Sequence, residues 1–176
     1  MGERADDPFI KRWSPKSFKP DPISEEDLLT ILDAARWTPS CFNEQPWHFL
    51  LSTDKSYDTF LDLINEFNQP WAKKAPLLGF VISKKHFDRN GKPNDWAQFD
   101  TGAAWMSFTL QAFQLGYMLR GMGGIKKEAV YTALNIDPEK YDVLMGFAMG
   151  KYQPTSETET LSGRNDLSSL FSYNSL

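Results

Sequence analysis

The chain has 176 residues, and we expect residues 1–176 to form one domain with a sizeable buried core. The formal net charge of -4 argues against a nucleic-acid partner, and the single cysteine, Cys41, excludes an intrachain disulfide. Aromatic residues make up 14% of the chain, which favours an aromatic ligand or a large interface.

The N-terminal stretch from Met1 to Asp7 carries acidic residues and no apolar run, so we expect no signal peptide. The sequence also lacks a window of about 20 apolar residues of the kind that spans a membrane. We therefore expect a cytoplasmic protein without a membrane partner.

The first motif runs from Phe9 to Phe18 and mixes apolar anchors with Lys11, Arg12, Lys16 and two serines. Pro15 prevents a helix from running through it. Guanidinium forks and hydroxyls suit a phosphate, whereas a solvated basic arm is the commoner explanation of a short basic segment. The residues alone leave both interpretations open.

A helix is predicted after Ser24, because this N-cap residue precedes three acidic residues and an apolar stripe. Pro39 stops the helix. The segment 36–47 that follows is stiffened by two prolines and places small polar side chains between aromatic ones. Such a loop suits a planar, partly polar ligand or packs its own aromatic rings, and the two interpretations are equally favoured.

Two apolar runs, 47–52 and 76–83, are predicted to be buried strands. Between them we predict a helix capped by Asp54. Its apolar face, at spacings of three and four, consists of Tyr57, Phe60, Leu61, Ile64 and Phe67. A charged loop, 84–94, follows the second strand.

The longest helical pattern runs from Asp95 to Gly116 and is apolar on two faces. One face carries Trp96, Phe99, Ala103, Met106, Leu110 and Phe113. The other carries Ala97, Ala104, Phe108, Ala112 and Leu115. Because a domain of this size can hardly cover both faces, we expect one of them to be a subunit interface.

A short strand, 117–120, leads into Gly121-Met122-Gly123-Gly124. Three glycines in four residues permit positive φ and close approach of a ligand, or they form a flexible turn. The spacing matches neither GxGxxG nor a P-loop.

The remaining chain predicts a helix over 126–134 closed by Asn135, a strand over 142–150, and a polar tail that carries Arg164. Four apolar side chains of the tail are candidates for docking on a partner: Leu161, Leu167, Leu170 and Phe171. Alternation of helices and strands indicates an α/β or α+β fold with one central sheet.

Catalytic side chains are not apparent in the sequence. His48 and His86 are the only histidines, and Cys41 has neither a second cysteine nor an obvious base, so no metal site is predicted. We expect no catalytic residue of the chain's own and infer that a cofactor carries the reaction if the protein is an enzyme.

Several motifs follow one another along the chain: Arg12-Trp13-Ser14-Pro15-Lys16-Ser17-Phe18, the segment from Ala35 to Trp47 with Pro39-Ser40, Asn43 and Gln45-Pro46-Trp47, Asp100-Thr101-Gly102-Ala103-Ala104 with Leu115-Gly116, Met122-Gly123-Gly124, and Arg164. In this order and spacing they resemble the FMN-dependent nitroreductase family over essentially the whole chain. The resemblance implies an α+β fold, a three-layer α-β-α sandwich with a mostly antiparallel central sheet. It also implies an intertwined homodimer with two FMN sites at the interface.

By this resemblance, Arg12, Ser14 and Arg164 hold the FMN phosphate and nearby groups. Lys16 lies near N1 and O2 of the flavin, and Asn68 bonds the polar edge of the ring.

The resemblance assigns Pro39, Ser40 and Asn43 to the flavin of the other subunit, and Gly123 and Gly124 to the ring near N5. The implied set of cofactor-binding residues is completed by Trp13, Gly121 and Met122.

The implied activity is an FMN-dependent oxidoreductase that takes a hydride from NAD(P)H and reduces a nitroaromatic, quinone or similar small-molecule acceptor by a ping-pong mechanism. Two alternatives stay open. One is a flavin enzyme of the same fold with other chemistry, such as an oxidase, a dehalogenase or a flavin-degrading enzyme. The other is a non-catalytic flavin-binding dimer.

Overall fold

The structure is a computed structural model, and it describes residues 4–155, 159 and 162–174. Its helices and strands are α1 (Asp7–Lys11), α2 (Glu25–Arg36), β1 (Trp47–Leu51), α3 (Tyr57–Asp62), α4 (Gln69–Ala72), β2 (Leu77–Lys84), α5 (Ala97–Gln114), β3 (Tyr117–Met122), α6 (Lys127–Ala133) and β4 (Tyr141–Lys151). Short 3-10 turns lie at Cys41–Asn43 and Leu167–Leu170. Leu161, one of the tail residues considered for docking, lies outside the described residues.

The four strands form one antiparallel sheet in the order β1-β2-β4-β3, which confirms the predicted sheet type. β2 is buried along nearly its whole length, as its continuous apolar run predicts. β1 is only half-buried and His48 is exposed, so its prediction as a buried strand was wrong. The reason is that β1 is at an edge and pairs with β2 alone.

Helices cover both faces of the sheet, because side chains of β2 alternate between two cores. Leu78 and Phe80 pack in the core formed with α3, α4 and α6. Leu77 and Val81 pack in the core formed with α2 and α5. The layers are therefore helix, sheet, helix, as expected for the α+β sandwich.

The helix predicted from Asp54 to Phe67 is much shorter, because the chain leaves the helix to pair elsewhere. α3 ends at Asp62, and Ile64 forms a β-bridge with Ile125. The side chain of Phe67 is 91% exposed, so it does not belong to a buried helical face. Asp54 is not the cap, since the N-cap residue is Ser56.

α2 begins as predicted, with the hydroxyl of Ser24 accepting a hydrogen bond from the backbone N–H of Asp27 at 3.1 Å. The carboxylate of Asp27 also accepts a bond from the hydroxyl of Tyr117 at 2.7 Å, which ties α2 to β3. The Tyr117 bond, with the Ser24 bond second, lowers the pKa of Asp27.

α5 confirms the long helix and separates its two apolar faces. Ala104, Phe108 and Ala112 are fully buried against the sheet, whereas Trp96 and Phe99 are exposed. No helix in the described part of the chain is both long and apolar enough to cross a membrane.

Only part of the glycine-rich segment is a loop, because Gly121 and Met122 belong to the sheet. β3 continues to Met122, with Gly121 opposite Phe147. Gly121, Gly123 and Gly124 all lack positive φ, so the chain does not use the positive φ that glycine permits at these positions. Elsewhere, Asn135 has φ 53° just after α6, which agrees with its predicted role in closing that helix.

Replacement of Tyr117 by Phe removes the hydroxyl that lowers the pKa of Asp27. Because the pKa of Asp27 is lower in the folded than in the unfolded protein, ionised Asp27 stabilises the fold at pH values above its unfolded-state pKa, near 4. This contribution is lost as the pH falls through the pKa of the folded protein. We expect the melting temperature of Tyr117→Phe to lie a few degrees below that of the wild type at neutral pH, with the gap closing in acid. Thermal melts followed by circular dichroism at about pH 7 and about pH 3 measure this; an equal gap at both would point to lost packing instead.

Candidate functional site

A cavity of about 1340 Å³ lies between the N-terminal segment, the end of β3 and the tail. It exceeds the usual range of roughly 300–1,000 Å³ for a small-molecule pocket. Its walls carry five cationic side chains, from Arg4, Arg12, Lys16, Arg120 and Arg164, and two carboxylates, from Glu159 and Asp166. The excess of positive charge favours an anionic ligand.

Arg12 and Arg164 form a like-charged pair in this cavity. Burial, and secondly the charge of Arg164, lower the pKa of Arg12. Arg164 donates only to the backbone carbonyls of Ser162 and Gly163, and within the described residues neither guanidinium has a carboxylate at salt-bridge distance. Two unneutralised guanidinium groups are suited to a phosphate dianion.

The other predicted residues of the N-terminal motif line the same cavity. Trp13 packs edge-on against Tyr152, with the ring centroids 5.2 Å apart. The carbonyl of Ser14 accepts a hydrogen bond from Nη1 of Arg120, and the backbone N–H of Lys16 donates to Glu159 at 2.9 Å. The side chain of Lys16 remains exposed.

Asn68 and Gly124, distant in sequence, meet in the structure. Asn68 Nδ2 donates to the carbonyl of Gly124 at 3.3 Å, and Asn68 Oδ1 accepts from the indole N–H of Trp71 at 3.2 Å. A Cβ at Gly124 would lie 2.5 Å from Asn68 Nδ2, so glycine permits this contact. A Cβ at Gly123 would meet open space, and the side chain of Met122 is buried in the core.

The loop that holds Pro39, Ser40 and Asn43 lies elsewhere, and none of these three residues lines the cavity. Its backbone is strained, since Phe42, Asn43 and Gln45 have φ of 54°, 59° and 48°. One chain therefore brings Arg12, Ser14, Lys16 and Arg164 together without this loop.

Two carboxylates hold the strained loop in place. The buried side chain of Asp100 accepts the backbone N–H of Cys41 at 2.9 Å. Glu44 accepts the backbone N–H groups of Asp88 at 2.8 Å and Arg89 at 3.4 Å. The loop is therefore anchored to α5 on one side and to the segment 84–94 on the other, which keeps its polar groups in a fixed arrangement.

Sequence reasoning missed Arg120, which lines the cavity and contacts the N-terminal motif. Its signal is a single charge within the apolar strand β3, directly before Gly121. Glu159 was missed as well. No local pattern marks it, because its contact with Lys16 is made across most of the chain.

Residues 10–67 and 52–151 match the family model described as "Nitroreductase family". A "CLA biosynthesis enone reductase" from Lactiplantibacillus plantarum is 26% identical over 82% of this chain and 84% of its own length. An "Oxygen-insensitive NADPH nitroreductase" from Helicobacter pylori is 38% identical, over only 35% of this chain and 29% of its own.

Among solved structures, a crystal structure described as "the oxidoreductase containing FMN" is 38% identical and has a TM-score of 0.92. The alignment covers 99% of this chain and 93% of the other. The likeness therefore extends over the cavity and the strained loop alike.

Replacement of Asp100 by Ala leaves the partly buried N–H of Cys41 without its acceptor. We expect Asp100→Ala to lower the free energy of unfolding by about 1–3 kcal/mol and to speed amide exchange at Cys41. Asp100→Asn keeps an oxygen acceptor and should cost less. Urea denaturation and hydrogen exchange measure both effects, and unchanged exchange at Cys41 would contradict the anchoring role.

Proposed function

The chain belongs to the nitroreductase family, and from this premise we propose that it is an FMN-dependent oxidoreductase that takes a hydride from NAD(P)H. Its acceptors are nitroaromatics, quinones or similar electron-poor small molecules, reduced in a ping-pong cycle. The observation that carries the proposal is a pair of guanidinium groups, Arg12 and Arg164, in a large cavity. Among the described residues, no carboxylate lies at salt-bridge distance from either group.

The donor set of the cavity fits FMN at its phosphate end. Arg12 and Arg164 supply charge, and Ser14 supplies a hydroxyl on the same wall. Charge-assisted hydrogen bonds of this kind contribute about 1.5–3 kcal/mol each. We assign the phosphate to these three residues.

The ring end is assigned to side chains that offer complementary polarity. The exposed ammonium of Lys16 favours negative charge at the N1–O2 edge. Asn68 does not line the cavity and its amide is bonded to Gly124 and Trp71, so its assignment to the polar edge of the ring rests on the family resemblance alone. Gly123 is exposed with open space at its Cβ position, and Gly121 is exposed as well, so both leave room for a planar ring. Bound FMN supplies the hydride chemistry, and the protein binds, orients and tunes it.

The names of the relatives support the donor and the acceptor class. One relative is called an NADPH nitroreductase and another an enone reductase, and both names denote reduction of an electron-poor unsaturated group. No general base is required of this chain for such a transfer, which agrees with the lack of an apparent catalytic side chain in its sequence.

We also propose that residues 1–176 form one domain that works as a homodimer. The outer face of α5 exposes Trp96 by 58% and Phe99 by 74%, and it carries Gly102, a helix-interior glycine with open space around it. Glycine costs about 1 kcal/mol relative to alanine there, so close approach of a second helix is the reason we favour. Pro39, Ser40 and Asn43 would then serve the flavin of the partner, which accounts for their distance from the chain's own cavity.

The activity is tested on purified protein by its visible spectrum and by anaerobic stopped-flow reduction with NADH and with NADPH. We expect a bound flavin that one of the donors bleaches and that a nitroaromatic or quinone then reoxidises. A protein that binds FMN but is reduced by neither donor would overturn the NAD(P)H step. A protein that binds no FMN would overturn the whole proposal.

Removal of the Arg12 guanidinium tests the phosphate site. We expect Arg12→Ala to raise the FMN dissociation constant by at least about tenfold, because one charge-assisted bond is lost. Fluorescence titration of FMN measures this. Arg36→Ala is the matched control, since Arg36 is exposed and paired with Asp33 outside the cavity. Equal affinities of the two variants would place the phosphate elsewhere.

A charge on the outer face of α5 tests the dimer. We expect light scattering at micromolar protein to show Phe99→Glu as a monomer and the wild type as a dimer. We also expect the variant to bind FMN more weakly, because each flavin would lose its contacts with the partner's loop. Thr59→Glu adds the same charge at an exposed position of α3 and should leave the dimer intact. A monomeric wild type would contradict the assignment.

A further inference from the structure

We propose that Arg120 binds the carboxylate of an anionic electron acceptor, so that the cavity favours unsaturated or aromatic acids over their uncharged analogues. The proposal rests on the proposed function, since an acceptor requires an electron-donating cofactor in the same cavity. Arg120 is not among the three residues assigned to the phosphate, although it donates to the backbone carbonyl of one of them, Ser14.

The orientation of the Arg120 guanidinium is fixed from two directions. Nη1 donates to the carbonyl of Ser14, and the guanidinium carbon lies 5.4 Å from the centre of the Trp71 ring. Trp71 is itself only 9% exposed, and its indole N–H is bonded to Asn68. A guanidinium held by its face and by one nitrogen presents its remaining N–H donors in a fixed plane.

The two contacts of the Arg120 guanidinium do not neutralise its positive charge. One is a neutral carbonyl and the other an aromatic face, and no carboxylate in the described part of the chain lies at salt-bridge distance. The side chain is half-buried, where an unpaired cation is costly. A carboxylate in the cavity would relieve that cost and match the planar fork of N–H donors.

The proposed phosphate site already has two cations of its own, Arg12 and Arg164. The like charge that lowers the pKa of Arg12, after burial, comes from Arg164, so those two guanidinium groups lie together. Arg120 comes from β3 and donates to the backbone carbonyl of Ser14, not to its hydroxyl. It therefore adds to the cavity wall a cation beyond the two that are assigned to the phosphate.

The experiment uses the FMN-loaded protein with two acceptors of the same shape, 4-nitrobenzoate and 4-nitrobenzamide. We expect Arg120→Gln to lower the ratio of kcat/KM for the acid over that for the amide by about tenfold or more, the loss of one charged hydrogen bond. Arg120→Lys keeps the charge and should retain part of the ratio. Arg36→Gln is the control, because Arg36 also lies over a tryptophan, 5.3 Å from the ring of Trp37, but outside the cavity.

A second readout needs no turnover. Calorimetric titration of the FMN-loaded protein with benzoate should show weaker binding to Arg120→Gln than to the wild type, and weaker binding at high salt. Benzamide serves as the uncharged comparison, and its affinity should not depend on salt.

Several outcomes would overturn the proposal. Equal losses for acid and amide would make Arg120 a support for Ser14 and not a carboxylate site. If an Arg120 variant had a raised KM for NADPH and an unchanged acid-to-amide ratio of kcat/KM, Arg120 would bind the electron donor NADPH instead. If both Arg120 variants lost FMN, Arg120 would bind the cofactor. A wild type that reduces neither acceptor contradicts the proposed function instead, and the benzoate titration still decides on Arg120.

Discussion

Arg12 is held in a partly buried position near the like charge of Arg164, and burial first and this charge second lower its pKa. The packing of the N-terminal segment against the sheet sets that position. Pro15 is fully buried, and Phe18 forms a β-bridge with Tyr152 just beyond β4. The apolar contacts of the N-terminal segment with the sheet thus hold Arg12 where burial and a like charge both disfavour its charged form.

A similar division between scaffold and site occurs at the strained loop. Three residues with positive φ stand within four positions, at Phe42, Asn43 and Gln45, and each costs free energy relative to ordinary backbone. Asp100 and Glu44 fix the loop through backbone N–H groups, so the conformation is set by carboxylates that belong to the same chain. A loop determined in this way can present polar groups to a ligand without paying to order them first.

Sequence reasoning succeeded where local rules decide the outcome. The N-cap at Ser24, the doubly covered strand β2 and the long helix α5 all follow from cap chemistry and periodicity. It was wrong about the length of α3, because the bridge between Ile64 and Ile125 joins distant segments, and about the burial of β1, which depends on its place at the sheet edge. Most residues of the candidate site were proposed from the order of motifs in the sequence. Arg120 was not predicted, because its contact with Ser14 joins residues 106 positions apart.

The cavity draws on residues separated by most of the sequence, and this has a consequence for synthesis in the cell. Arg12 precedes all four strands in the sequence, whereas Arg164 and the neighbouring tail follow them and are therefore synthesised after the sheet. Loop-closure entropy also delays such distant contacts during folding. A nascent chain that has not reached Arg164 therefore lacks one of the two guanidinium groups of the cavity, and the arginine pair forms only after the whole sheet has been synthesised.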